Sequence, residues 1–120
     1  MFADTLTITI NSVAKVLTRI NQDGYSSEYF LREATGNFSL KLRNSQYTDK
    51  TRGVKVDRHN IELVQTVFAV APAVTNTVRK YYSVLENDTT DITVDSVKFG
   101  AGITGFQTEA NYTKLLNWES

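Results

Sequence analysis

Between Thr5 and Ile10 the chain alternates without a break: Leu6, Ile8 and Ile10 fall on one side, Thr5, Thr7 and Thr9 on the other. A period of two built from Thr and Ile predicts a half-buried strand. Asn11-Ser12 makes a short turn and Val13–Ile20 resumes the extended pattern, so the chain is expected to open with a hairpin. Asn21-Gln22-Asp23-Gly24 is the strongest turn signal, through the positive φ that Asp-Gly supplies. Strands follow over Ser26–Glu33, turned at Thr35-Gly36, and over Asn37–Tyr47. After a polar loop through Asp49-Lys50 come a short strand, Val54–Val56, and a longer one, Ile61–Val70. Asp57-Arg58-His59-Asn60 between them fits a tight turn or the middle of one long strand. The turn is preferred, because Asp and Asn both suit turn positions.

Pro72 is expected to end the β part, since it cannot donate to a ladder. Thr75 can then cap a helix to about Glu86, with Val78, Tyr81, Tyr82 and Leu85 at helical spacings on one side. Asn87–Thr90 is a polar break. Asp95-Ser96 can cap a second helix carrying Val97, Ile103, Phe106 and Ala110, weakened in its middle by Gly100, Gly102 and Gly105. The apolar tail Tyr112–Trp118 is expected to dock. Strands over about 5–70 and a helical part over about 75–118 predict one α+β domain, 1–120: an N-terminal β-hairpin, an antiparallel β-sheet and two C-terminal α-helices on one face. Ile61–Val70 would be a long apolar edge, and such edges are paired or covered. It is expected to meet its symmetry mate in a dimer, with Tyr81, Tyr82 and Leu85 over the join.

Composition narrows the function. At 120 residues the chain is one domain. It has no cysteine, which removes disulfides, thiolate nucleophiles and Cys-ligated metals, and His59 is its one histidine. No apolar run approaches the ~18 residues of a membrane span. Met1-Phe2-Ala3-Asp4 lacks the basic and apolar regions of a signal peptide, so a reducing cytoplasm is the expected compartment.

The net charge is zero, yet it comes apart along the chain. Residues 37–60 carry Lys41, Arg43, Lys50, Arg52, Lys55 and Arg58 against Asp49 and Asp57, a local +4. Residues 83–120 carry Glu86, Asp88, Asp91, Asp95, Glu109 and Glu119 against Lys98 and Lys114, a local −4. Strand parity places Phe38, Leu40 and Leu42 on one face and Ser39, Lys41, Arg43, Ser45 and Tyr47 on the other. Lys55, between Val54 and Val56, is expected to join the basic set. With helices on the apolar face, the basic face is left open for RNA phosphates.

Other motifs carry less. Gly100-Ala101-Gly102-Ile103-Thr104-Gly105 matches G-x-G-x-x-G but lacks the strand–helix setting and the acidic residue a dinucleotide site needs, so close packing is the simpler reading. Asp88, Asp91 and Asp95 offer oxygen ligands for a hard cation, though not at EF-hand spacing. His59 lies in a polar segment beside Arg58, where a surface or RNA-contacting role fits better than that of a catalytic base. Paired carboxylates are missing, and the residues point away from an enzyme.

Asp4-Thr5-Leu6-Thr7-Ile8-Thr9, Ala14-Lys15-Val16-Leu17, Ile20-Asn21-Gln22-Asp23-Gly24-Tyr25, Ser27-Glu28-Tyr29, Arg58-His59-Asn60 with Glu62, Thr66-Val67 and the ending Trp118-Glu119-Ser120 run in one order along the chain. In this the chain resembles the coat (capsid) proteins of small single-stranded RNA bacteriophages, the leviviruses, with the nearest likeness among Caulobacter RNA phages. Residues 87–111 are the least similar part. The resemblance implies a homodimer whose sheets join edge to edge, with the helices of each subunit crossing over the other. Ninety such dimers would form an icosahedral T=3 shell, helices outward and sheet toward the genomic RNA, assembled in the bacterial host cytoplasm. It also implies a virion with one maturation protein, no membrane, no required cofactor, structural calcium at subunit interfaces in some relatives, and an operator hairpin bound to repress replicase translation.

Carried over by residue, Lys41 and Arg43 match basic RNA-contacting positions, Ser39 and Ser45 polar positions on that face, Lys55 a basic position in the next strand, and Asn60 with Glu62 an Asn-x-Glu in the last strand. Arg58 stands where better-known members have a base-stacking tyrosine, so stacking would fall to Tyr47, Tyr29 or the Arg58 guanidinium. The chain is also expected to lack the long loop that precedes the last strand in those members. Two readings compete with the capsid: a soluble dimeric RNA-binding regulator that stops at the dimer, and a small enzyme using His59.

Overall fold

The computed structural model describes all 120 residues. Six strands, β1 (Thr5–Ile10), β2 (Val13–Gln22), β3 (Ser26–Glu33), β4 (Gly36–Asp49), β5 (Val54–Val67) and β6 (Thr77–Asp88), form one antiparallel sheet in chain order. Helices α1 (Thr93–Phe106) and α2 (Glu109–Leu116) follow.

The turns are specified locally. Asn11 and Ser12 both take left-handed φ values, 51° and 62°, as a two-residue hairpin loop requires. Asp23-Gly24 turns by another device than the expected positive φ. Gly24 is not left-handed; the Asp23 carboxylate instead accepts the backbone N–H groups of Tyr25 at 2.9 Å and Ser26 at 2.8 Å. Those bonds hold its carboxyl below the usual aspartate range. Gly36 opens β4 against β5 so closely that a Cβ there would run into the Thr66 carbonyl. Between β4 and β5, Asp49 accepts from the backbone of Thr51 and Arg52, and Gly53 takes φ 68°.

The apolar face is covered by the hairpin, not by the helices as expected. The sheet curls until β2 lies over β4: Lys15 of β2 reaches the Phe38 ring of β4 at 5.5 Å and pairs with Glu33 at 2.9 Å. Leu17, Tyr29, Phe38, Leu40 and Leu42 are buried between these layers, with Leu6, Ile8, Ile10, Leu31 and Leu63 against them. Arg19 ties down the N-terminal segment through Asp4 at 2.8 Å and the carbonyls of Phe2 and Ala3. The buried Tyr29 hydroxyl donates to Ala3 as well.

Two element expectations fail. Asp57–Asn60 is no turn: β5 runs unbroken from Val54 to Val67, paired to β4 along its whole length and to β6 from Val56 onward. Each turn-favouring side chain finds a cross-strand partner instead. Gln46 donates to Asp57 at 2.8 Å, His59 bridges Asn44 and Asn87, and Arg58 and Asn60 both reach Tyr82. Residues 77–86 are no helix either. They form β6, where Thr, Val and two Tyr suit a pleated surface. Strand parity splits the supposed helical stripe, sending Tyr81 and Leu85 to one face and Val78 and Tyr82 to the other. Ile61–Val70 is therefore not the edge; β6 is. A loop at 68–76, carrying Pro72 and exposed Phe68, Val70 and Val74, does precede the last strand, contrary to the expectation that it would be missing.

The helical part also differs in detail. The cap of α1 is Ile92, without a side-chain bond, and Asp91 accepts the Ile92 N–H at 2.8 Å. The three glycines lie inside α1 without ending it. The break comes at Gln107, and Thr108 caps α2 by accepting from Asn111, so the second expected helix is two. The helices meet the sheet at β6, where Tyr112 packs edge-to-face on Tyr81 at 6.4 Å and Gly100 lies beside Leu85. Tyr81 also pushes the Tyr112 hydroxyl up to about 12. Neither helix holds a buried residue.

Candidate nucleic-acid interface

Cross-strand register assigns every side chain to a face, because partners point the same way. Opposite the hairpin-covered core, β4 presents Ser39, Lys41, Arg43, Ser45 and Tyr47. Their partners on β5 are Val64, Glu62, Asn60, Arg58 and Val56. Beyond them β6 adds Lys80, Tyr82, Val84, Glu86 and Asp88. Eight of the nine expected site residues thus share one face. Lys55 is the exception: it pairs with Thr48, on the face of Leu42 and Asn44. Because β5 runs on without a turn, the parity set by Asn60 and Glu62 fixes that of Lys55. Val56, taken for the apolar side, lies buried on the open face.

The face is less one-sidedly basic than its sequence suggested, since β6 carries acids into it. Glu62 accepts Arg43 at 2.8 Å and pairs with Lys80 at 3.1 Å. Its hydrogen bond with Lys80, aided by the charges of Arg43 and Lys41, holds its carboxyl below the usual glutamate range. Glu86 stands 3.8 Å from Arg58 and accepts the Tyr47 hydroxyl at 2.8 Å, which raises that phenol above its ordinary value. Asp88 and Asp49 grip Arg52, keeping both carboxyls low and the guanidinium high. Lys41 takes part in no ion pair.

A shallow depression of about 720 Å³ is lined by Tyr25, Ser26, Arg43, Arg58, Asn60 and Tyr82 among others. The Tyr82 hydroxyl accepts from Asn60 Nδ2 at 3.2 Å and Arg58 Nη2 at 3.4 Å, and the Asn60 Oδ1 is buried without a partner. Tyr25 and Tyr82 are exposed aromatic rings at this site that sequence reasoning missed. The helical reading of 77–86 hid Tyr82; the Asp-Gly turn beside Tyr25 was a usable signal. Tyr29 is removed as a stacking candidate, being wholly buried on the other face.

A sheet face left open by its own chain, with Lys41, Arg43, Arg58 and Lys80 set among Glu28, Glu62, Glu86 and Asp88 and with exposed tyrosines, offers cations to a polyanion, and comparison with known proteins says which kind of molecule carries it. The family model of the phage phiCb5 coat protein matches residues 3–88, which contain all six strands. The chain belongs to that family. No curated protein matches it. As a phage coat protein it is a structural, non-enzymatic component of the virion and assembles with copies of itself into the capsid. That sets aside the regulator that stops at the dimer and the enzyme built on His59. His59 is held in the ladder between Asn44 and Asn87, on the opposite face from Lys41. The G-x-G-x-x-G run is helical, and no group of three or more His, Asp or Glu lies together to hold a metal ion.

Proposed function

We propose that the chain forms a homodimer through β6, that these dimers build a T=3 shell, and that the Lys41–Arg43–Arg58 face lines its interior against single-stranded genomic RNA. The observation that carries this reading is the asymmetry of the sheet: the chain's own hairpin covers one face and no element of the chain is laid over the other. The dimer has its own support. Only seven of 120 residues are buried, and the radius of gyration is 17.3 Å, against roughly 13–14 Å for a compact chain of this length. Tyr81 on β6, whose outer edge is unpaired, and Val97, Phe99, Ile103 and Phe106 on α1 stand exposed on the side where the helices pack. A second copy paired along β6, its helices laid across the join, would cover both sets.

RNA binding on this face is mainly electrostatic in the proposal, with Lys41 free for phosphate and Arg43 and Lys80 exchanging Glu62 for it. Tyr25, Tyr82 and Tyr47 would supply sequence-tolerant stacking. Asn60, with its unpartnered Oδ1, is the residue placed to read a base edge in an operator hairpin. Calcium at the boundaries between subunits would draw ligands from more than one chain, and a maturation protein would complete the virion. The test is sedimentation of purified protein together with RNA affinity measured against salt. Dimers, shells and a steep salt dependence that Lys41→Ala weakens are expected. A folded monomer at micromolar concentration, or RNA affinity indifferent to Lys41→Ala, would overturn the proposal.

A further inference from the structure

A sheet in chain order has two edges, and β6 accounts for one. The other is β1. Arg19 N–H donates to the Asp4 carbonyl at 2.9 Å, and Asn11-Ser12 closes a two-residue turn between the partners Ile10 and Val13. In an antiparallel ladder bonded pairs alternate, so Asp4, Leu6, Ile8 and Ile10 bond to β2 while the N–H and C=O groups of Thr5, Thr7 and Thr9 point away from it. Those groups have no partner in the chain. The side chains of Thr5, Thr7 and Thr9 are exposed, and Leu6, Ile8 and Ile10 face the core.

Free edges in soluble proteins are usually blunted by charge, proline or a bulge. Thr5–Ile10 contains none of these: it is Thr and aliphatic throughout, with high β propensity. A coat protein also needs more than one kind of self-contact. A two-fold join is complete once two subunits have met, so a dimer grows into a shell only through a second, different surface.

We propose that the β1 edge is that second surface, pairing antiparallel with β1 of a subunit in a neighbouring dimer. A register centred on Thr7 opposite Thr7 would let Thr5 face Thr9 in both directions and satisfy all the outward backbone groups. The proposal rests on the reading of β6 as the dimer join, and the experiment separates the two.

Thr7→Pro removes an outward N–H that β2 does not use, and Thr7→Lys places like charges opposite each other across the pairing. Val16→Lys is the control, because Val16 is the β2 partner of Thr7 on the same exposed side, one strand in from the edge. Each protein is examined by circular dichroism, analytical ultracentrifugation and electron microscopy. The expected result is folded dimers and no shells for both Thr7 variants, and shells for Val16→Lys. Should Thr7→Pro fail to fold, a folded, dimeric, shell-less Thr7→Lys supports the proposal alone. Wild-type shells from Thr7→Lys would overturn it, as would loss of shells in Val16→Lys. A folded but monomeric Thr7 variant would overturn it differently, by placing β1 in the dimer join.

Discussion

Glu62 governs how much of the charge on the open face is available. It is the central carboxylate between Arg43 and Lys80, and on the proposed reading RNA would have to displace it to reach either cation. Glu62→Gln should therefore strengthen binding to many RNAs and steepen the salt dependence. Lys41→Ala should weaken binding about equally across sequences and reduce the slope of log affinity against log salt by roughly 0.7–0.9. Filter binding over a salt series reads both, and a Glu62→Gln protein that binds RNA more weakly would contradict the pairing. With Asn60 as the proposed reader of a base edge, Asn60→Ala should weaken a cognate hairpin and leave other RNAs unaffected in the same assay. The pairing also sets the sign of an acid response. Glu62 titrates below its ordinary value in the native protein, so the native state binds fewer protons than the unfolded one. Its contribution is complete above the unfolded glutamate value of about 4.3 and is lost as pH falls through the lower native value. Asp23, Asp49 and Asp88 act with the same sign. Urea midpoints should fall below about pH 4, less steeply in Glu62→Gln, which lacks one of the titrating groups.

Among the elements, those whose pattern needed one neighbour were legible in the sequence. The Thr/Ile alternation of β1, the turn at Asn11-Ser12 and the parity of β4 depend on local chemistry and came out as read. The misread elements depend on partners. Asp57–Asn60 looked like a turn because Asp and Asn favour turns alone, whereas here Gln46, Asn44, Asn87 and Tyr82 satisfy them inside the ladder. Residues 77–86 satisfy a helical period and a strand period at once, and only the free side of β5 decides between them. From that one misreading came the wrong edge, the missing loop, the hidden Tyr82 and the acids placed outside the sheet. Lys55 followed from the false turn. Gly36 tests the β4–β5 contact itself. Gly36→Ala would force its methyl against the Thr66 carbonyl and should cost about 2 kcal/mol or more. Chemical denaturation measures this, and a wild-type midpoint would mean the strands are not so close.

At the scale of the whole molecule, the proposed dimer makes the single chain half of a design. One hairpin covers one sheet face; the helices lie along the β6 edge with their apolar side chains exposed, and the remaining face carries the cations. The charge split along the sequence pointed to a cation-bearing open face, but with the helices over the opposite one, and part of the acid it assigned to the helical end belongs to β6 and tempers that open face. The central claim is that dimers joined through β6 turn the Lys41 face toward RNA inside a shell. Electron cryomicroscopy of the purified particle tests it most directly. The expected map has β6 antiparallel to β6 across a two-fold axis, the hairpin and helices outside, and nucleic-acid density against Lys41, Arg43 and Arg58. A map with the hairpin turned toward the RNA, or with another element on the dimer axis, would contradict it.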